Sequence, residues 1–121
     1  SNGAYIPGEE GGSRTDRIKP VLEYIEHHYS APLALDDLAE VAGMNPKYFC
    51  RVFRSLTHHS PVDYLNFYRI EQAAYLLDST DLPVTEVGSR CGFVESSYFT
   101  KVFKKYKGAT PVLYRRNLRS V

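Results

Sequence analysis

The stretch that decides the fold is YFCRVFRSLTHHSPVDY, residues 48–64, and it recurs fifty residues later as YFTKVFKKYKGATPVLY, residues 98–114. Both copies have an aromatic pair, then Val-Phe, then a hydroxyl residue before proline and finally a tyrosine. Upstream the match continues at an offset of 49, so the second copy has one additional residue after its glycine. So many matches at nearly one offset indicate an internal repeat of a small motif.

Apolar residues at helical spacing predict helices along the whole chain after a glycine-rich start. Asn45-Pro46, Ser60-Pro61 and Thr110-Pro111 are helix-start signals, because a polar N-cap residue precedes proline at the first helical position. The predicted helices cover about residues 15–29, 33–42, 46–57, 62–78, 84–91, 95–107 and 111–117. The predicted fold is therefore all-α, with seven helices and no strand.

Each copy places a short helix, a tight turn at a glycine and a second helix in succession, which is the helix-turn-helix arrangement. The predicted organisation is a tag remnant and flexible lead-in at residues 1–14, a first helix-turn-helix subdomain at 15–60, a linker helix at 61–79 and a second helix-turn-helix subdomain at 80–121.

The composition is that of an ordinary globular chain, with 43% hydrophobic and 24% charged residues in 121. No apolar run approaches the roughly 18 residues that span a bilayer, and the polar start does not resemble a signal peptide. We therefore expect no membrane association and a cytoplasmic location. Cys50 and Cys91 have no spacing that suggests a bridge or a metal site.

The small net charge of +1 conceals an uneven distribution. Residues 1–46 contain eight acidic and three basic side chains, whereas residues 47–121 contain twelve basic and six acidic ones. Binding to nucleic acid needs a locally positive face, not a basic whole chain. The repeated part of the chain is the basic part.

Each of the helices at 46–57 and 95–107 is predicted to bury one face and expose the other. The predicted buried stripes are Phe49, Val52, Phe53 and Leu56 in the first copy and Phe99, Val102, Phe103 and Tyr106 in the second. The outward stripes are Lys47, Cys50, Arg51 and Arg54 in the first copy and Ser97, Thr100, Lys101 and Lys104 in the second. Arginine, lysine, serine and threonine are side chains that read base edges in the major groove of DNA.

The position along each helix predicts what a side chain would contact. Arg51 and Lys101 lie in the middle and are the best candidates for direct base contact, and Lys47 and Ser97 near the N-terminal ends should also reach base edges. The residues nearer the far ends, Arg54, Lys104 and Lys105, are expected to contact phosphates.

Other interpretations remain open from the residues alone. A charged stripe opposite an apolar one is in many helices simply the face exposed to solvent. The serious alternative function is a helical protein-interaction module with a basic face. The pairs His27-His28 and His58-His59 invite a metal site, but adjacent histidines on a helix point apart and no further ligand completes a set. Nothing in the sequence matches a catalytic motif, so no enzymatic activity and no cofactor are expected.

The sequence resembles the DNA-binding domain of AraC/XylS-type bacterial transcription regulators over about residues 15–118. The most specific matches are Ala73-Ala74-Tyr75-Leu76-Leu77 through Val84, Gly92-Phe93, Ser97-Tyr98-Phe99, Val102-Phe103-Lys104-Lys105, Gly108 and Thr110-Pro111 to Tyr114-Arg115. The earlier matches include Leu38-Ala39, Ala42-Gly43-Met44, Tyr48-Phe49, Arg51-Val52-Phe53, Ser60-Pro61, Tyr64 and Arg69-Ile70.

This resemblance implies two homeodomain-like helix-turn-helix subdomains joined by a rigid helix, whose recognition helices enter successive major grooves of double-stranded DNA. The family's base-contacting positions fall on Lys47, Cys50, Arg51, Ser96, Ser97 and Lys101, so Ser96 joins the outward set. Because the two frames are alike while their outward residues differ, an asymmetric target site is expected. RNA polymerase and a missing N-terminal sensor or dimerisation domain of the same chain are the expected partners.

Three residues depart from the family's pattern. His58 stands where the family has glycine after the first recognition helix, and histidine adopts the left-handed conformation only at some cost. Gly88 replaces alanine and lowers the helix propensity of the second motif, and Glu95 replaces a shorter residue that caps a helix better. We expect a less rigid second motif.

Overall fold

The computed structural model describes the backbone of residues 8–120 and the side chains of residues 14–120. These residues form seven α-helices and no strand, so the predicted all-α fold is confirmed. The helices are α1 Gly8–His28, α2 Leu35–Ala42, α3 Pro46–Thr57, α4 Pro61–Ser79, α5 Val84–Arg90, α6 Ser96–Lys107 and α7 Pro111–Arg119. Apart from the start of α1, their ends lie within two residues of the predicted ones.

The first helix begins earlier than its predicted start near Thr15 or Asp16, because α1 already begins at Gly8. Packing through Ile18 and Val21 supplies a nucleus, and a nucleated helix lengthens by gaining one hydrogen bond for each residue added. Residues 8–14, which the sequence assigned to the lead-in, therefore belong to α1 in the structure. The part of that prediction that concerns residues 1–7 lies outside the described residues.

The chain divides into two compact units. Of the described residues, the first unit contains those from Gly8 to His28 together with Leu33–Tyr64, and the second contains Tyr29–Pro32 together with those from Leu65 to Ser120. Helix α4 contributes residues to both units, up to Tyr64 to the first and from Leu65 to the second. The subdomain boundaries at residues 60 and 80 stay a prediction.

The core of the first unit forms where the inner faces of α1, α2 and α3 meet. Its buried side chains include Ile18, Val21, Ile25, Leu38, Ala39, Ala42, Phe49, Val52 and Phe53. Phe53 contacts both Phe49 and Tyr64, with ring centroids 5.6 Å apart in each pair. Burying each large apolar side chain contributes roughly 1.5–3 kcal/mol. This burial dictates which face of α3 points inward.

The second unit contains the same chain of rings fifty positions later. Phe103 contacts Phe99 with ring centroids 5.8 Å apart and Tyr114 with centroids 5.2 Å apart. Around them pack Ile70, Ala73, Leu77, Val87, Cys91, Phe93 and Val102. The sequence repeat is thus a repeat of core packing. Equivalent faces of α3 and α6 are buried, each in the core of its own unit.

The turns before α3 and α6 share a backbone hydrogen-bond pattern. The Met44 N–H donates to the Ala39 carbonyl at 3.0 Å, and the Phe93 N–H donates to the Gly88 carbonyl at 3.0 Å. These pairs differ by 49 positions, as the upstream sequence match does. Val94, which follows Phe93, is 93% exposed. The second turn therefore accommodates its additional residue at the surface without disturbing the core.

The three caps predicted before proline are confirmed, and so is the weak capping expected of Glu95. Asn45 Oδ1 accepts the Tyr48 N–H at 2.9 Å, Ser60 Oγ accepts the Asp63 N–H at 3.1 Å and Thr110 Oγ1 accepts the Leu113 N–H at 3.3 Å. Glu95 lies at the N-cap of α6 but makes no capping hydrogen bond through its side chain. Helix α6 thus starts without the side-chain cap that α3 has.

Two residues of the predicted buried stripes lie partly in solvent. Leu56 is 43% exposed, so its prediction as a buried residue is wrong, and Tyr106 is half-buried against the Phe67 ring at 5.7 Å. Both residues lie one position before the end of their helices, which end at Thr57 and Lys107. They have the right direction for burial, but they lie at the end of the helix, where the core stops.

Replacing His58 by glycine is expected to raise the free energy of unfolding by about 0.5–1 kcal/mol. His58 has φ 65° at the end of α3, the position that Gly108 occupies with φ 76° at the end of α6. A left-handed L-residue costs about 1–2 kcal/mol, and the greater backbone freedom of unfolded glycine offsets part of that gain. Urea unfolding measures the change, and Gly108→His should shift stability in the opposite direction. A His58→Gly protein that unfolds more easily would contradict the assignment.

Candidate nucleic-acid interface

The outward face of α3 carries the predicted reading residues of the first unit. Lys47, Arg51 and Arg54 are exposed and Cys50 is half-buried. They follow one another at helical spacing on the side opposite the buried stripe, so one face of α3 holds the helix in the unit while the other offers three cationic side chains to solvent.

The outward face of α6 lies opposite an equivalent buried stripe but carries different side chains. Ser96, Ser97, Lys101 and Lys104 are exposed and Thr100 is half-buried. The Thr100 hydroxyl donates to the Ser96 carbonyl oxygen at 3.0 Å, and its lone pairs remain as acceptors. The structure thus brings every predicted site residue of this helix onto one surface.

Tyr48 lies beside the central arginine of α3. The guanidinium carbon of Arg51 stands 5.7 Å from the centre of the Tyr48 ring, within the range of a cation–π contact. The backbone of Tyr48 is held by the Asn45 cap at the start of the helix. Sequence reasoning assigned no role to Tyr48, although its spacing three residues before Arg51 on a helix could have indicated the contact.

The equivalent tyrosine of the second unit makes a different contact. The amide nitrogen of Asn66, from α4, donates to the Tyr98 hydroxyl at 2.9 Å, and the ring lies 6.1 Å from Phe93. In the described part of the chain, Lys101 has no ring contact of the kind that Arg51 has. The two repeats therefore use the same tyrosine in two different ways.

The turn before α3 is held by an arginine from α1. Arg17 Nε donates to the Ala42 carbonyl at 2.9 Å, and Nη2 donates to the Gly43 carbonyl. Gly43 has φ 67° and ends α2. A single guanidinium thus satisfies two carbonyl groups that the end of α2 leaves without helical partners, and it fixes the direction in which α3 starts.

The turn before α6 packs against a buried arginine. Arg69 is 9% exposed, and its Nε and Nη2 donate to the carbonyls of Tyr29 at 2.7 Å and Ala31 at 2.9 Å. Its guanidinium carbon is 5.9 Å from the Phe93 ring centre. Burial lowers the pKa of the Arg69 guanidinium and raises the pKa of the Tyr29 hydroxyl. Sequence reasoning did not find this contact, because it joins residues about forty positions apart.

Gly88 has a packing role that outweighs its low helix propensity. A methyl group added at Gly88 would lie 2.5 Å from a ring carbon of Phe99. The ring of Phe99 therefore packs directly on the backbone of α5, which a side chain at this position would prevent. The loss of helix propensity expected for glycine is the cost of that close approach.

Several basic residues of the second half are engaged within the protein and do not add to an outward face. Besides Arg69, they are Arg90 bonded to Glu86 at 3.0 Å, Lys107 bonded to Glu71 at 2.7 Å, Arg119 bonded to Asp81 at 2.9 Å, and Arg115 bonded to the Leu77 and Leu82 carbonyls at 3.1 and 2.6 Å. The uneven charge of the sequence therefore overstates the positive charge that α3 and α6 present.

The cysteines differ in their surroundings. Burial raises the pKa of the Cys91 thiol to about 11, so it stays protonated and unreactive at neutral pH. Cys50 is half-buried on the outward stripe of α3. Among the described residues, no group of three or more His, Cys, Asp or Glu side chains is arranged to hold a metal ion. None of the helices, as far as the chain is described, is long and apolar enough to cross a membrane.

The chain is similar in sequence to known helix-turn-helix regulators. A family model described as a helix-turn-helix domain matches residues 38–117. The regulatory protein SoxS of Salmonella typhimurium is 32% identical over 101 residues, which cover 84% of this chain and 94% of SoxS. The uncharacterized HTH-type transcriptional regulator YijO of Escherichia coli is 35% identical over 103 residues, which cover 85% of this chain and 36% of YijO.

Solved structures agree with these sequence matches. The DNA-binding domain of the global transcriptional factor AdpA, in complex with a target DNA, has a TM-score of 0.80 and 34% identity, with 86% of this chain and 93% of that one covered. The chain spans only about a third of YijO and of other curated relatives that it matches.

Proposed function

This chain belongs to the AraC-type helix-turn-helix family and is a DNA-binding domain of a transcription regulator, and from this premise we propose that α3 and α6 are its two recognition helices. The proposal places them in successive major grooves of double-stranded DNA. The observation that carries it is the pair of outward stripes, one on each helix, opposite equivalent aromatic cores. The DNA complex of the similar AdpA domain supports DNA as the ligand.

The roles of the side chains follow from their chemistry and position. Arg51 and Lys101 in the middle of the helices read base edges, since arginine and lysine pair with guanine O6 and N7. Lys47, Cys50, Ser96, Ser97 and Thr100 complete the reading surface. Arg54 and Lys104, nearer the ends, contact phosphates, which position the protein without specifying a sequence.

The target site is asymmetric in this proposal. The two helices present unlike side chains, with three exposed cations on α3 and a mixture of hydroxyls and lysines on α6. Helices that carry different groups read different base sequences, so a single chain does not require a palindromic site.

Titration with mixed-sequence duplex DNA tests the binding mode. Each phosphate contact releases counterions, so affinity should be about micromolar or tighter at low salt and fall steeply as salt rises. Lys104→Ala should reduce the slope of log affinity against log salt by about 1. Binding that is absent at low salt would refute the proposal and favour the interaction module with a basic face.

Arg51→Ala and Lys101→Ala are each expected to cost about 1–3 kcal/mol of binding to the selected site and to relax base preference at one position. The site is obtained by selection from random duplex DNA with the unaltered protein, and each variant is then selected in the same way. Arg54→Ala is the matched control, because a lost phosphate contact weakens all sequences alike. Unchanged base preference in both variants would contradict the assignment.

The proposed partners beyond DNA concern the whole regulator. Since YijO and similar relatives are about three times as long as the part that matches, we place a sensor or dimerisation domain N-terminal to this one. RNA polymerase is the proposed protein partner at the promoter, with the acidic surfaces of α1 and α2 as its candidate contact. Their exposed acidic side chains are Glu23, Glu26, Asp36, Asp37 and Glu40.

A further inference from the structure

We propose that Tyr48 is a positioning residue that holds Arg51 ready to read one base pair, which makes α3 the more discriminating of the two recognition helices. The inference rests on the proposed function, because it requires α3 to lie in the major groove. It begins from the Arg51 guanidinium, whose carbon stands 5.7 Å from the Tyr48 ring centre.

The contact matters because a free arginine must lose rotational freedom when it binds a base. An exposed arginine side chain samples many rotamers, and only those that aim its planar fork at guanine O6 and N7 allow two parallel hydrogen bonds. A ring beneath the guanidinium restricts those rotamers before DNA arrives. Part of the ordering is then complete in the free protein, which strengthens binding to the correct base.

The backbone of Tyr48 lies in the capped and anchored first turn of α3. Its N–H donates to Asn45 Oδ1 at 2.9 Å, so the first turn of α3 is capped at this residue. Its side chain is half-buried, and its helix is anchored by the fully buried Phe49 and Phe53. A support that is held in this way can hold Arg51 in turn.

The second repeat lacks this arrangement. The Tyr98 hydroxyl accepts a hydrogen bond from the Asn66 side-chain amide at 2.9 Å. The residue that corresponds to Arg51 is Lys101, which has a single ammonium group in place of a planar fork. The N-cap of α6, Glu95, makes no side-chain capping bond. Base selection by α6 should therefore be less strict than base selection by α3.

The test compares Tyr48→Leu with Tyr48→Phe in selections from random duplex DNA. Arg51→Ala identifies the base pair that Arg51 reads. At that base pair, Tyr48→Leu should lower the discrimination between bases by about two- to fivefold, which corresponds to the free energy of an exposed cation–π contact. Tyr48→Phe keeps the ring and should keep the preference. In an Arg51→Ala background, Tyr48→Leu should change nothing further at that base pair, which a general structural role of Tyr48 would not predict.

A second measurement needs no variant to fold. In the DNA-free, unaltered protein, the ring current of Tyr48 should shift the side-chain proton resonances of Arg51 upfield. Unshifted Arg51 protons, or equal discrimination in the Leu and Phe variants, would overturn the proposal while leaving DNA binding intact. If the unaltered protein selects no sequence at all, the proposed function fails together with this inference.

Discussion

Replacing Gly92 by alanine is expected to lower the free energy of unfolding of the second unit by about 2–5 kcal/mol, from about 1–2 kcal/mol for a left-handed L-residue and about 1–3 kcal/mol for overpacking. Gly92 has φ 97° in the turn before α6. An added methyl group would lie 2.5 Å from the Tyr29 carbonyl oxygen and 2.7 Å from Arg69 Nε. It would therefore push apart a donor and an acceptor that are bonded at 2.7 Å.

Gly108→Ala is the matched control for this prediction. Gly108 also has positive φ, 76°, but a methyl group added there would meet no atom within 4 Å. Only the backbone cost of about 1–2 kcal/mol should remain. Urea unfolding of both variants measures the difference, and equal losses would show that Gly92 serves backbone conformation alone. Because the Gly92 turn leads into α6, the Gly92→Ala protein should also lose sequence preference in DNA binding.

Replacing Arg69 by methionine is the second change with a large expected effect, about 2–4 kcal/mol of lost stability. Methionine fills a similar volume beside Phe93 but cannot donate hydrogen bonds, so the carbonyls of Tyr29 and Ala31 lose their donor in a part-buried place. A buried acceptor left without its partner costs roughly 1–3 kcal/mol. The segment Tyr29–Pro32, which Arg69 holds in the second unit, should then exchange its amide hydrogens faster.

Arg90→Met is the control that separates this role from a loss of positive charge. Arg90 forms an exposed ion pair with Glu86, with side chains 58% and 48% exposed. Such pairs contribute about 0–1 kcal/mol. Thermal or urea unfolding should therefore distinguish the two variants clearly. A change at Arg69 no larger than that at Arg90 would mean that water replaces the guanidinium at the two carbonyls.

Local sequence patterns predicted most of the helices because each signal acts within one or two turns. Asn45, Ser60 and Thr110 cap helices through hydrogen bonds to residues three positions later. The start of α1 was mispredicted because Thr15 and Asp16 resemble caps, whereas an N-cap residue acts only where no preceding turn continues the helix. Leu56 was mispredicted because a periodic stripe does not show where the core ends.

The outward stripes of α3 and α6 could be predicted for the same reason. Once the buried stripe of a helix is known, its opposite face follows from 3.6 residues per turn. The contacts made by these outward residues could not be predicted in the same way. Arg51 lies against Tyr48, while the corresponding Tyr98 is bonded to Asn66 on α4, and the repeat itself contains nothing that distinguishes these two outcomes.

The sequence by itself determined the seven helices, their inner faces and the duplicated helix-turn-helix frame, because those features depend on residues a few positions apart. Only the tertiary structure decided that Arg69 bonds to residues 38 and 40 positions away, that Gly88 admits Phe99 and that Gly92 leaves room for the Arg69 contact. Such contacts depend on how distant segments pack. A side chain that bridges two segments leaves no periodic signal in either of them.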